Sequence, residues 1–180
     1  MIYLYKDLTK LGKNDFNIKK MVEKQELYMI KKGIYSTTKD YNYLELISKK
    51  HPNAIFTLYT ACHCYGLIKD SIIPYTIVTK QKDRKILDEN VKQIFMTDSL
   101  YPIGMNKVKY LGFDIKIYNL ERLLVEVLRN KKTLDFELYQ EIINGYKKIS
   151  KLLNKNKIDE YISYFKDPKI GYRLKNDVLN

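Results

Sequence analysis

The sequence predicts an α+β fold in two parts. Three observations carry that reading. Two short helical patterns and a basic hairpin pattern follow one another in the first part of the chain. Short β-prone segments stand at 74–80, 92–98 and 107–119. From Asn119 onward, apolar residues recur at helical spacing.

Between Asp7 and Gly12, Leu8 and Leu11 lie three apart, which predicts a short amphipathic helix closed by glycine. Asn14 or Asp15 can cap the next helix, because their side-chain oxygens accept from its free N–H groups. Ile18, Met21 and Val22 give that helix one buried stripe and leave Asn17, Lys19, Lys20 and Lys24 on other faces. Segments 27–30 and 34–36 read as two strands, joined by a turn at Lys31-Lys32-Gly33. Helix, turn, helix and basic hairpin is the order of a winged helix-turn-helix. A boundary is expected near residue 40, with a DNA-binding head at 1–40 and a mixed α/β domain at 41–180.

Residues 37–43 form the expected connector, with Asp40 capping a helix from about Tyr41 to Lys50 that ends at His51-Pro52. A further helix is expected from Thr57 to Tyr65 with Gly66 as its C-cap. The segment 107–119 reads as two strands around Gly112. Together with 74–80 and 92–98 they make a small sheet. Asn119 caps "LERLLVEVLRN", whose apolar face is Leu120, Leu123, Leu124, Val127 and Leu128. Helices from Asp135 and Lys157 make the C-terminal part helical, and the segment after Asp167 reads as a tail or a short docking element.

The chain carries 33 basic against 21 acidic residues, a net charge of +12. Such a balance favours a polyanionic partner. Part of the lysine excess has a plainer source, since abundant Lys, Asn, Ile and Tyr share A/T-rich codons. No apolar run approaches the ~20 residues of a membrane span, and "MIYLYKDLTK" lacks the pattern of a secretory leader. The expected location is cytoplasmic, with no membrane partner. There is no glycine-rich phosphate loop and no Gly-x-Ser-x-Gly elbow.

"ACHCYG" at 61–66 holds both cysteines and one of the two histidines. Cys62 and Cys64 are too close for a zinc knuckle, and no second cysteine pair exists. On a helix, side chains at i and i+2 point about 200° apart, which disfavours a disulfide as well. Adjacent helical residues also diverge too far for a Cys–His catalytic pair. The motif therefore reads as the last turn of a buried helix, with Cys62 as a small core residue. No cofactor or metal is expected.

Lys19, Lys20 and Lys24 on the second helix, with Lys31 and Lys32 at the hairpin turn, are candidate phosphate contacts. Asn17 is the candidate for a base edge, since Asn pairs bidentately with adenine. The plain alternative is a solvated lysine face. Glu121, Arg122, Glu126 and Arg129 offer carboxylates for acid–base work. By spacing alone they are helix electrostatics, with Arg122–Glu126 an i,i+4 pair worth a few tenths of a kcal/mol. Asp98, Asp114 and Lys116 superficially match an Asp…Asp-x-Lys nuclease site, in which a metal activates water.

Three segments resemble the AbiEi antitoxins of type IV toxin–antitoxin (abortive infection) systems. "LTKLGKNDFNIKKMVEKQELYMIKKGIYS" (8–36) is similar to that family's helix-turn-helix and wing. "HPNAIFTLYTACHCYGL" (51–67) and "IKIYNLERLLVEVLRN" (115–130) resemble two motifs of its antitoxin domain, the latter with Glu126 where Asp is common. Many members carry another helix before the one at Asp7–Gly12. The expectation is a head lacking its first helix and one wall of its core.

The resemblance implies a non-enzymatic antitoxin that binds inverted repeats in its own promoter as a homo-oligomer and represses its operon. It further implies that a nucleotidyltransferase-like toxin is counteracted without direct binding, through a C-terminal domain marked by Glu121, Arg122, Glu126 and Arg129. The alternatives are a protein- or RNA-interaction module with a vestigial head, and a metal-dependent nuclease.

Overall fold

The computed structural model describes residues 1–179. It is a mixed α/β chain with eight α-helices and two sheets among the described residues. Two compact units divide it. The first is Met1–Ala54 with Lys109–Ile115; the second is Ile55–Val108 with the chain from Lys116 onward.

The first unit runs β1 (Ile2–Leu4), α1 (Tyr5–Lys10), α2 (Asp15–Glu23), β2 (Tyr28–Lys31), β3 (Ile34–Ser36) and α3 (Tyr43–Lys50). Its sheet has the order β1-β3-β2, antiparallel throughout. Alternation along the strands serves two small cores. Ile2, Leu4 and Ile34 meet Leu46 of α3 on one face. Tyr3 and Tyr35 meet Leu8, Ile18 and Leu27 on the other.

The first unit departs from expectation in several places. No strand was expected at Ile2–Leu4, yet it pairs with β3 in full register. A head without its first helix is expected to miss one wall of its core; in this unit Leu8, Ile18 and Leu27 are only 3%, 3% and 2% exposed. Helix α3 groups with this unit, whereas the sequence reading placed the boundary near residue 40. Asn42, not Asp40, caps α3, its side chain accepting from the Leu44 N–H at 2.9 Å. Glu45 of α3 is buried and accepts the Ile2 N–H at 2.7 Å, so it satisfies a donor of the edge strand.

The second unit contains β4 (Ile55–Phe56), α4 (Leu58–Cys64), β5 (Tyr75–Lys80), β6 (Val91–Met96), β7 (Met105–Tyr110) and β8 (Phe113–Tyr118), though the tip of the β7–β8 hairpin counts with the first unit. The helices α5 (Leu120–Arg129), α6 (Phe136–Ile149), α7 (Lys155–Ser163) and α8 (Pro168–Arg173) follow, and a π-helical turn at Leu174–Leu179 ends the described chain. The sheet order is β6-β5-β4-β8-β7. Strands β5 and β6 are parallel neighbours joined by residues 81–90 without a helix. Gln93 holds that short crossover by accepting the Ile86 N–H at 2.7 Å and donating to Thr79 Oγ1 at 2.7 Å.

The tail after Asp167 is structural. Ile170, Leu174 and Val178 are buried. Arg173 donates to the backbone carbonyls of Leu128 and Arg129, which end α5 without partners inside the helix. No helix among the described residues is long and apolar enough to cross a membrane.

Candidate functional site

The basic face of the first unit is built on α2. Asn14 and Asn17 form a reciprocal cap, with Asn17 N–H donating to Asn14 Oδ1 at 2.9 Å and Asn14 N–H to Asn17 Oδ1 at 3.3 Å. The Asn17 carbonyl oxygen is thus engaged in the cap, and its amide nitrogen alone is left for a ligand. Tyr5 ties the start of α1 to that of α2 through a 2.6 Å hydrogen bond to Asp15, and that bond raises the Tyr5 phenol pKa. Ile18 fixes the helix on its core.

Lys19, Lys20 and Lys24 are exposed on α2, and Lys31 and Lys32 are exposed at the β2–β3 turn. None of the five forms an ion pair among the described residues. A groove of about 370 Å³ runs between α2 and the hairpin, lined by Asp15, Ile18, Lys19, Val22, Met29 and Tyr35. Sequence reasoning missed Phe16, which is 71% exposed beside these lysines. It lies off the Ile18, Met21 and Val22 stripe, and no local signal gives it a role.

The second cluster lies inside the second unit. Arg122 is fully buried, and Glu126 is 3% exposed. Arg122 donates twice to Glu126 Oε1, from Nε at 3.1 Å and Nη2 at 2.7 Å. Arg129 donates to Glu126 Oε2 at 2.9 Å. The Arg122 guanidinium lies against both the Tyr118 ring (4.8 Å) and the Phe165 ring (4.6 Å), and Arg129 shares the Phe165 ring at 4.8 Å. Burial raises the Tyr118 phenol pKa, and its hydroxyl donates to the Tyr101 carbonyl at 3.0 Å.

This geometry corrects the reading of Arg122–Glu126 as a surface pair. Both charges are out of water, so desolvation and not screening sets their energetics. Glu121 stands apart from them: its Oε1 accepts the Asn154 N–H at 3.1 Å and helps start α7. Arg122 Nη1 and Arg129 Nε find no hydrogen-bond partner among the described residues. With its carboxylate shared by two guanidinium groups, Glu126 is held as an anchor and not as a free base.

"ACHCYG" closes α4 in a Schellman turn. Gly66 takes φ +70°, and the Leu67 N–H reaches back to the Cys62 carbonyl at 2.8 Å. Cys62 is wholly buried, and burial pushes its thiol pKa up, away from the reactive thiolate. Neither cysteine forms a disulfide among the described residues. Asp98 follows β6 while Asp114 and Lys116 lie on β8, and β5 and β4 stand between those strands. The fold does not bring the three together.

No family model and no curated protein matches the chain. A solved structure does. The chain shares the fold of the RV2827C protein from Mycobacterium tuberculosis, with a TM-score of 0.64 and 13% identity. The match covers 97% of this chain and 71% of that one. At this identity the likeness is one of fold alone.

Proposed function

We propose that the chain is a DNA-binding autorepressor and antitoxin of the AbiEi type. The observation that supports this best is the first unit, where α1, the glycine turn and α2 precede a hairpin whose turn carries Lys31 and Lys32. A winged helix-turn-helix uses these parts in this order. In this reading α2 enters the major groove and the hairpin lies along the backbone. Lys19, Lys20 and Lys24 neutralise phosphates, and Asn17 offers its amide to a base edge. Dimers on inverted repeats double that contact. The second unit carries the antitoxin activity against a nucleotidyltransferase-like toxin, with no direct complex between the two. The Arg122–Glu126–Arg129 cluster serves as the pin that holds α5 in that unit.

Titration of the full chain on DNA upstream of its own coding sequence, against scrambled DNA at two salt concentrations, tests the repressor half. The expected result is sequence-preferring binding with a log K–log salt slope of about −0.9 for each phosphate neutralised. The Lys19, Lys20 and Lys24→Ala triple variant should lose up to three of those contacts. Equal, weak binding to both DNAs would sink the repressor reading and leave a protein- or RNA-binding role for the basic face.

A further inference from the structure

Phe16 occupies a place in α2 that packing does not explain. Two residues on, Ile18 is 3% exposed and seated in the core; Phe16 is 71% exposed. With about 100° between successive helical residues, Phe16, Lys20 and Glu23 form the stripe opposite the buried Ile18 and the partly buried Met21 and Val22. Lys19 and Lys24 flank that stripe. The ring is thus the apolar centre of a cationic face. It sits in the first turn of the helix, whose start is fixed by the Asn14–Asn17 cap and the Tyr5–Asp15 hydrogen bond.

Resting on the DNA-binding reading above, we propose that Phe16 is a specificity residue that reads thymine by packing against its 5-methyl group in the major groove. Charge decides between this occupant and an apolar protein surface. Lys19, Lys20 and Lys24 favour a polyanion around the ring, and the thymine methyl is the apolar group a base pair presents in the major groove. Glu23 fits the same picture. A carboxylate on the central stripe is repelled by phosphates but accepts from the cytosine amino group at a base edge.

The test uses the full chain and a duplex selected by it from a randomised pool, with each thymine replaced in turn by deoxyuracil. That change removes one methyl and nothing else. The expected result is that at least one position in each half-site weakens binding about fourfold, the fold-change for one buried methyl. Phe16→Ala should bind more weakly and be indifferent to the same replacement, while Phe16→Leu should keep part of the sensitivity. Because Phe16 is exposed, these variants keep the fold, which circular dichroism checks. Specific binding insensitive to deoxyuracil at every position would overturn the proposal and leave the DNA-binding reading standing. So would a Phe16→Ala variant as methyl-sensitive as the parent. Failure to enrich any duplex would overturn both.

Discussion

Arg122 shows how much a single side chain can differ from its sequence pattern. In "LERLLVEVLRN" it reads as an exposed partner of Glu126, because the apolar residues already account for one face of the helix. The burial comes from outside the helix: Tyr118 at the end of β8 and the distant Phe165 close over the guanidinium, and Gly104 lies against its stem. A Cβ at Gly104 would fall 2.5 Å from Arg122 Cβ, and Gly104 also holds φ +76°. Glu126→Leu leaves the Arg122 charge buried and unpaired, so chemical denaturation should show a loss of about 3–5 kcal/mol. The double change Arg122→Met with Glu126→Leu should cost much less, since it removes both charges. Gly104→Ala should destabilise by more than 1 kcal/mol, roughly the usual size for alanine at positive φ with a close contact. Phe16 is the other case: it stands outside the buried stripe expected of α2, and nothing local marks a 71% exposed aromatic beside lysines. Both cases show why the candidate sites were legible as residue types but not as environments.

Elements with local signals were visible in advance. Asn119 caps the helix expected of it, Asn14, one of two candidates, caps α2, and Asp135 caps the helix expected to start there, each side chain accepting from the N–H three residues on. Strands β1 and β4 were not visible. They are three and two residues long, and their partners lie far along the chain, so no window of sequence contains the reason they form. Helix α3 was visible, but not the sheet face it covers. Leu46 there is 1% exposed against Ile2 and Ile34. Leu46→Ala should therefore cost about 2–5 kcal/mol, read from thermal or denaturant melting of the full chain.

The C-terminal turn makes a pH prediction at the same scale. Lys131 and Tyr139 both donate to Asp177, at 2.8 and 2.5 Å. Burial alone would raise the Asp177 carboxyl pKa. The two hydrogen bonds and the charges of Lys131 and Arg173 outweigh it and hold the carboxyl below its ordinary value. A folded value below the unfolded one means stabilisation above the ordinary carboxylate range, lost as pH falls through the depressed value. Asp177→Asn should lower the melting temperature near neutral pH, and its gap from the parent protein should shrink in acid. Tyr139 sets the upper limit. Burial and its bond to Asp177 raise its phenol pKa, so its contribution lasts until pH climbs through that raised value.

Across the whole molecule, both compact units are basic, and it is their cores that differ in size. The first unit is small, with two apolar clusters of three buried residues each, and carries the lysines of α2 and the hairpin turn. The second has the larger sheet and most of the helices. Composition alone indicated a polyanion partner; where the charge is presented depended on which helix faces outward. Arg122 to Leu128 of α5 are seven consecutive buried residues, with α4, α7 and α8 packed around them. Such a helix has no solvent-facing side through which its amides can meet water. Their exchange with deuterium should therefore follow the complete opening of the second unit. Peptides covering α5 would then report, residue by residue, the free energy of opening the second unit, and a cognate partner that stabilises that unit would announce itself there as slowed exchange, even when it binds elsewhere on the unit.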